Sequence, residues 1–146
     1  MKTIVETFKI YLLVFFCLFL ASGLRAQPMI STGDNAVITS QTVPTDMDKE
    51  HVYTLQYTVK NTGSTTWTMG NYQLKIYVTS DQATDNSKWL IPSVDVPNDV
   101  APGSEVVIST KVTAWVDDGN YSFSAQMSRN EAPFGEISQP VVVNIH

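Results

Sequence analysis

Acid–base or nucleophilic chemistry needs a side chain that can move a proton near neutral pH and a neighbour that orients it, and this chain offers few of either. Its two histidines, His51 and His146, stand at no spacing to another ligand that would build a zinc site, and both are expected to face solvent. No Gly-x-Ser-x-Gly elbow occurs, so a serine hydrolase has no place for its nucleophile. Carboxylates are plentiful but fall in turn-like segments, with no apolar pocket in the pattern to hold one protonated as a general acid. No enzyme and no cofactor are implied. What remains is recognition chemistry. Asp46, Asp48 and Glu50, then Asp81 and Asp85, then Asp117 and Asp118 form three acidic groups, with Trp89 and Trp115 close to them in sequence. Stacking aromatics beside hydrogen-bond acceptors suit a sugar ring or a protein surface, and several carboxylates could instead hold calcium through oxygen ligands.

The elements that would position these residues begin behind an apolar leader. Lys2 and Lys9 precede the run Ile10–Ala21, which is short of the ~20 residues of a membrane span and is followed by small residues. Residues 1–26 are therefore expected to be a secretory signal, cut after Ala26, with one domain over 27–146 that is secreted, periplasmic or at the cell surface. The only cysteine, Cys17, leaves with that leader, so the remaining chain forms no disulfide and offers no thiol. Loss of Lys2, Lys9, Arg25 and Glu6 leaves six basic against thirteen acidic side chains, a charge of about −7 where the whole chain carries −5. Nucleic acid and anionic membrane surfaces, which need clustered Lys and Arg, are poor partners for such a surface, and no membrane insertion is expected after cleavage.

From Gln27 onward the periodicity is two. Tyr53, Leu55, Tyr57 and Val59 alternate with polar residues, as do Tyr72, Leu74, Ile76 and Val78, then Val106, Ile108 and Val112, then Tyr121, Phe123, Ala125 and Met127, then Val141, Val143 and Ile145. Ala36–Thr39 reads as a first strand, and a shorter one lies within Trp89–Val96. Turn signals fall between them, at Pro44 to Asp48, Asn61-Thr62-Gly63, 81–86, Pro97 to Gly103, Asp117 to Asn120, and Pro133 to Gly135. About seven such strands predict an all-β, immunoglobulin-like antiparallel β-sandwich. In that order the loops after strands one, three and five emerge together, gathering the three acidic groups at one end with Trp89 and Trp115 beside them. Trp115 follows Lys111 and Thr113 in the outward phase. That end is open to three readings: a packed lid over the core, a binding surface, or a calcium site. Trp67, just after the Asn-Thr-Gly turn, and Phe134 are expected to meet at the opposite end as packed plugs.

A family resemblance enters through these turns. Asn61-Thr62-Gly63 to Trp67, Asn71-Tyr72-Gln73-Leu74, Val100-Ala101-Pro102-Gly103, Gly119-Asn120-Tyr121-Ser122-Phe123 to Met127, and Phe134-Gly135-Glu136 together resemble the FW (four-tryptophan) domain. This is the immunoglobulin-like module of the next-to-BRCA-one autophagy cargo receptors and of many bacterial secreted proteins. Tyr57 and Ala125 stand where the family usually has Trp, and Ala114-Trp115 where members often read Ala-Pro. The resemblance implies the sandwich fold and binding without catalysis. The expected function is a secreted, non-catalytic binding or adhesion module for a protein or glycan, with Trp89, Trp115, Asp117 and Asp118 as candidate contacts. The alternative is a structural component that self-assembles or joins a surface complex through strand edges.

Overall fold

The computed structural model describes residues 33–80, 89 and 91–146. The leader assigned to 1–26, with Cys17, lies outside the described residues, as do Asp81 and Asp85 of the second acidic group. The described residues form nine strands in order: β1 (Ala36–Thr42), β2 (Asp46–Met47), β3 (Val52–Asn61), β4 (Tyr72–Ser80), β5 (Val94–Asp95), β6 (Glu105–Thr113), β7 (Gly119–Arg129), β8 (Ala132–Phe134) and β9 (Val141–Ile145). They form a sandwich of two sheets. One has the order β1-β3-β6; the other runs β2-β9-β7-β4-β5, with β8 also paired to β7.

The alternating runs become the long strands because one face of each is apolar and must be covered. Leu55, Tyr57 and Val59 of β3 and Val106, Ile108 and Val112 of β6 face Tyr72, Leu74 and Val78 of β4 and Phe123, Ala125 and Met127 of β7 across the buried layer. Val143 and Ile145 of β9 complete it. β3 and β6 pair without a register shift from Val52↔Thr113 to Lys60↔Glu105, and β4 and β7 from Tyr72↔Arg129 to Ser80↔Tyr121. A slip of one residue in either ladder would turn every inward side chain out, so burial fixes the register.

Three short strands depart from the sequence expectation. β2 and β8 lie in segments read as turns, and β5 occupies only Val94–Asp95 of the stretch 89–96. Two or three residues carry no measurable period, and what places them is a partner's edge: β2 runs parallel to β9 through Asp46↔Asn144 and Met47↔Ile145, the one parallel pair among the described residues. The first strand also runs on past Thr39 to Thr42, through a register shift between Ile38 and Ser40.

The Asn61–Trp67 turn is held by one side chain. Asn61 is fully buried, its Nδ2 donates to the Thr65 and Val100 carbonyls at 2.8 and 2.9 Å, and its Oδ1 accepts from Gly63 N at 3.1 Å. This satisfies an amide that would otherwise be stranded in the core. Gly63 is required for space rather than for an unusual backbone angle: a Cβ there would strike the Gly33 carbonyl oxygen and lie 2.7 Å from Asn35 N. Trp67, which pairs with Val100 in an isolated bridge, is then driven wholly into the core.

Candidate functional site

The two ends of the sandwich differ in what closes them. At the Trp67 end, aromatic rings pack on one another: Trp67 lies 6.2 Å from Tyr72 in a stacked arrangement and 5.9 Å from the edge of Phe134, and Phe134 meets Tyr72 edge-on, also at 5.9 Å. Phe134 is half-buried on β8, beside the fully buried Trp67. Tyr72 OH donates to Asp34 Oδ1 at 2.9 Å, and Arg129 binds the other Asp34 oxygen at 3.1 Å with its guanidinium 5.5 Å from the Tyr72 ring centre. Burial, then the Asp34 carboxylate, pushes the Tyr72 phenol up from its ordinary value. Asp34 and Arg129 were invisible as partners in the sequence, because 95 residues separate them. This end is packed and tied.

The other end gathers charge and contains a cleft. Lys49 Nζ sits 2.7 Å from Asp118 Oδ1, joining the β2–β3 turn to the β6–β7 loop, and Asp118 holds the Lys49 ammonium up from its usual value. Glu50, in a left-handed conformation at φ 59°, donates its amide to the Ala114 carbonyl at 3.1 Å. His146 places Nδ1 3.3 Å from Asp46 and Nε2 3.4 Å from Asp48, so the imidazole separates these two carboxylates instead of letting them converge on one point. Among the described residues no three His, Cys, Asp or Glu side chains are grouped to hold a metal ion. The loops that carry the first and third acidic groups are thus joined by the Lys49–Asp118 ion pair and the Glu50–Ala114 hydrogen bond, with no contact between the carboxylates themselves among the described residues.

Trp89 and Trp115 are brought together, Trp89 as the packed lid that was one of the three readings of this end and not as an open contact, Trp115 half-buried beside it. Trp89 is 9% exposed, with its ring against the edges of Tyr121 at 5.2 Å and Phe123 at 5.1 Å. It belongs to the core, not to an open stacking platform, because the β7 aromatics on the inward phase reach it first. Burial, with Asp117 and Asp118 behind it, raises the Tyr121 phenol. Trp115 follows the end of β6, is half-buried against the core, and donates its indole N–H to Asp117 Oδ2 at 2.9 Å. Asp117 is thus the anchor that sets the Trp115 ring, and Asp118 the anchor that sets Lys49.

Between these residues lies a cleft of about 520 Å³, with Trp89, Ile91 and Pro92 on one wall and Lys111, Thr113 and Trp115 on the other. Val112 and Ala114 form its floor and Glu50 reaches its rim. Its size falls within the range of small-ligand sites, and its lining mixes apolar side chains with the polar Glu50, Lys111 and Thr113. The cleft has no side chain with the geometry of a nucleophile–base pair among those residues. It can hold a ligand by shape, apolar contact and hydrogen bonding. Ile91 and Pro92 escaped the sequence reading, since nothing in the chain order shows that 91–92 fold back against β6.

No family model matches the chain, and no curated protein matches it. Among solved structures it is similar to the crystal structure of the CARDB domain of the PF1109 protein from Pyrococcus furiosus in complex with di-metal ions, at 14% identity and a TM-score of 0.51, over 77% of this chain and 89% of that one. It is also similar to the solution NMR structure of the same domain, at 12% identity and a TM-score of 0.52, over 77% of this chain and 94% of that one. Likeness at this identity is a likeness of fold. The class is the immunoglobulin-like β-sandwich, which the strand order and buried layer also define.

Proposed function

We propose that this protein is a secreted, non-catalytic binding module that takes a protein or glycan ligand in the cleft between Trp115 and Ile91-Pro92. The observation that carries the reading is the cleft itself: about 520 Å³ at one end of a sandwich whose other end is packed shut. Trp115 supplies a broad face next to the exposed Lys111 and Thr113, and Asp117 fixes the indole before a ligand arrives, which lowers the entropy lost on binding. The resemblance to the FW domain supports recognition rather than turnover. The di-metal ions of the CARDB crystal are not carried over, since His146 keeps the nearest carboxylates apart.

The test is a screen of glycan arrays and displayed peptides against the purified protein and its Trp115→Ala variant. A ligand that binds the parent and loses about tenfold or more in affinity with the variant, at an unchanged Tm, is expected from truncating an aromatic contact. Ligands bound equally by both, or a variant that fails to fold, would place Trp115 in the core and overturn the reading.

A further inference from the structure

Among the described residues the sandwich has several strand margins, and they differ in how they are shielded: β4 pairs with β5 only at Gln73 and Leu74, and its remaining margin runs up to residues outside the description. β1 carries a bulge, its Ala36 carbonyl accepts from Glu136 N at 2.9 Å, and Gln41 Nε2 reaches the Gln139 carbonyl at 2.8 Å. β2 and β5 are two residues long. β6 differs. It is nine residues long, has no proline and no bulge, and hydrogen-bonds to β3 alone among the described residues. β5 packs near it from the other sheet without hydrogen-bonding to it. Proteins normally blunt an edge of this length.

Which backbone groups are bare follows from the ends of the strand. The Ser104 carbonyl accepts from Asn61 N, while Ala114 donates to the His51 carbonyl and accepts from Glu50 N, so the even-numbered residues turn their backbone groups toward β3. The odd-numbered ones, Glu105, Val107, Ser109, Lys111 and Thr113, turn theirs away, and the side chains of the same residues are exposed on the outer face.

We propose that this edge docks a second copy of the chain, β6 against β6 in antiparallel register about a two-fold axis at Ile108. In that register Glu105 lies opposite Lys111 of the second copy, Val107 opposite Ser109, and the symmetry repeats both pairs. Every pairing joins residues whose N–H and C=O both point outward, so each exchanges two backbone hydrogen bonds. Shifting the axis to Ser109 would set Glu105 against Thr113 and Val107 against Lys111, which removes both charge pairs. Within its own sheet Glu105 already stands opposite Lys60, so the docked carboxylate would sit between two ammonium groups. The product is one continuous six-stranded sheet, β1-β3-β6 and its mate, closed by symmetry and exposing only the two shielded β1 edges. The long bare edge is thereby consumed. Lys111 lines the cleft while Glu105 is at the opposite end of β6 from it, so Glu105→Lys is the variant that tests this interface apart from the ligand reading.

The experiment is sedimentation velocity on the protein expressed from its full coding sequence, across a concentration series at low and high salt. A dimer that strengthens at low salt is expected. Glu105→Lys and Lys111→Glu should each weaken it about tenfold or more, because the axis counts each change twice. The double variant, which swaps the pair, should recover it. Ser109→Pro, which removes an outward N–H and leaves the β3 ladder whole, should abolish it with the circular dichroism spectrum retained. A monomer at every concentration, a Glu105→Lys variant that dimerises like the parent, or a double variant no better than the singles would each overturn the proposal. The charge variants decide the matter if the proline variant does not fold.

Discussion

Tyr57 carries a cost that a neighbouring residue type would avoid. Its ring fills the centre of the β3 face, fully buried, and its hydroxyl has no hydrogen-bond partner among the described residues. An unpartnered buried hydroxyl costs about 1–3 kcal/mol, so Tyr57→Phe should raise stability by about 1 kcal/mol or more in urea unfolding, with the m-value unchanged. The same burial pushes the Tyr57 phenol up to about 12 from an ordinary 10.0. The sign follows from which state ionises first. Above pH 10 the unfolded chain loses this proton while the folded chain keeps it, so the stability is whole below the unfolded value and falls as pH rises toward the folded one. Alkaline unfolding between pH 10 and 12 should therefore be shallower in Tyr57→Phe than in the parent. A phenylalanine variant with the same alkaline slope would show that the hydroxyl reaches water.

The elements show where sequence reading works and where it stops. β3, β4, β6 and β7 were legible because nine to eleven residues give a period of two time to declare itself, and each buries the face its alternation marks. β2 and β8 were not, since a two- or three-residue strand is defined by the edge it joins. The candidate site divides the same way. The loop order brought Asp117, Asp118 and Trp115 to one end, but the alternation could not show that Trp89 would be claimed by Tyr121 and Phe123, or that Ile91 and Pro92 would form the facing wall. The Asn-Thr-Gly turn was legible as a turn, but what its glycine makes room for was not. Gly63 is there because the Gly33–Asn35 backbone crosses it at contact distance. Gly63→Ala should therefore cost about 1–3 kcal/mol, as overpacking against a backbone that cannot rotate away, even though alanine tolerates the local backbone angles. If the variant matched the parent in thermal unfolding, the segment at Gly33–Asn35 would have to be looser than the hydrogen bonds from Thr62, Gly63 and Ser64 to it imply.

For the whole molecule, stability is set by which strands are paired on both sides. β3 lies between β1 and β6, and β7 between β9 and β4, so opening either breaks two ladders and the core at once. Amides of Leu55, Tyr57 and Phe123 should exchange with deuterium only through global unfolding, while those of β2 and β5 should exchange through local fraying that breaks a two-residue pair. β6 makes the sharper case, because one strand should show two behaviours. Val106, Ile108 and Thr110 turn their amides toward β3 and should be protected at any protein concentration. Val107, Ser109 and Lys111 turn theirs outward, where a lone copy leaves them in water and a docked copy covers them. An alternation of slow and fast amides along β6 that vanishes as concentration rises would tie self-association to this edge residue by residue. If the alternation persisted at concentrations where sedimentation finds dimers, the second copy would be docking somewhere else, and the bare edge of β6 would remain available to an extended segment of a different protein.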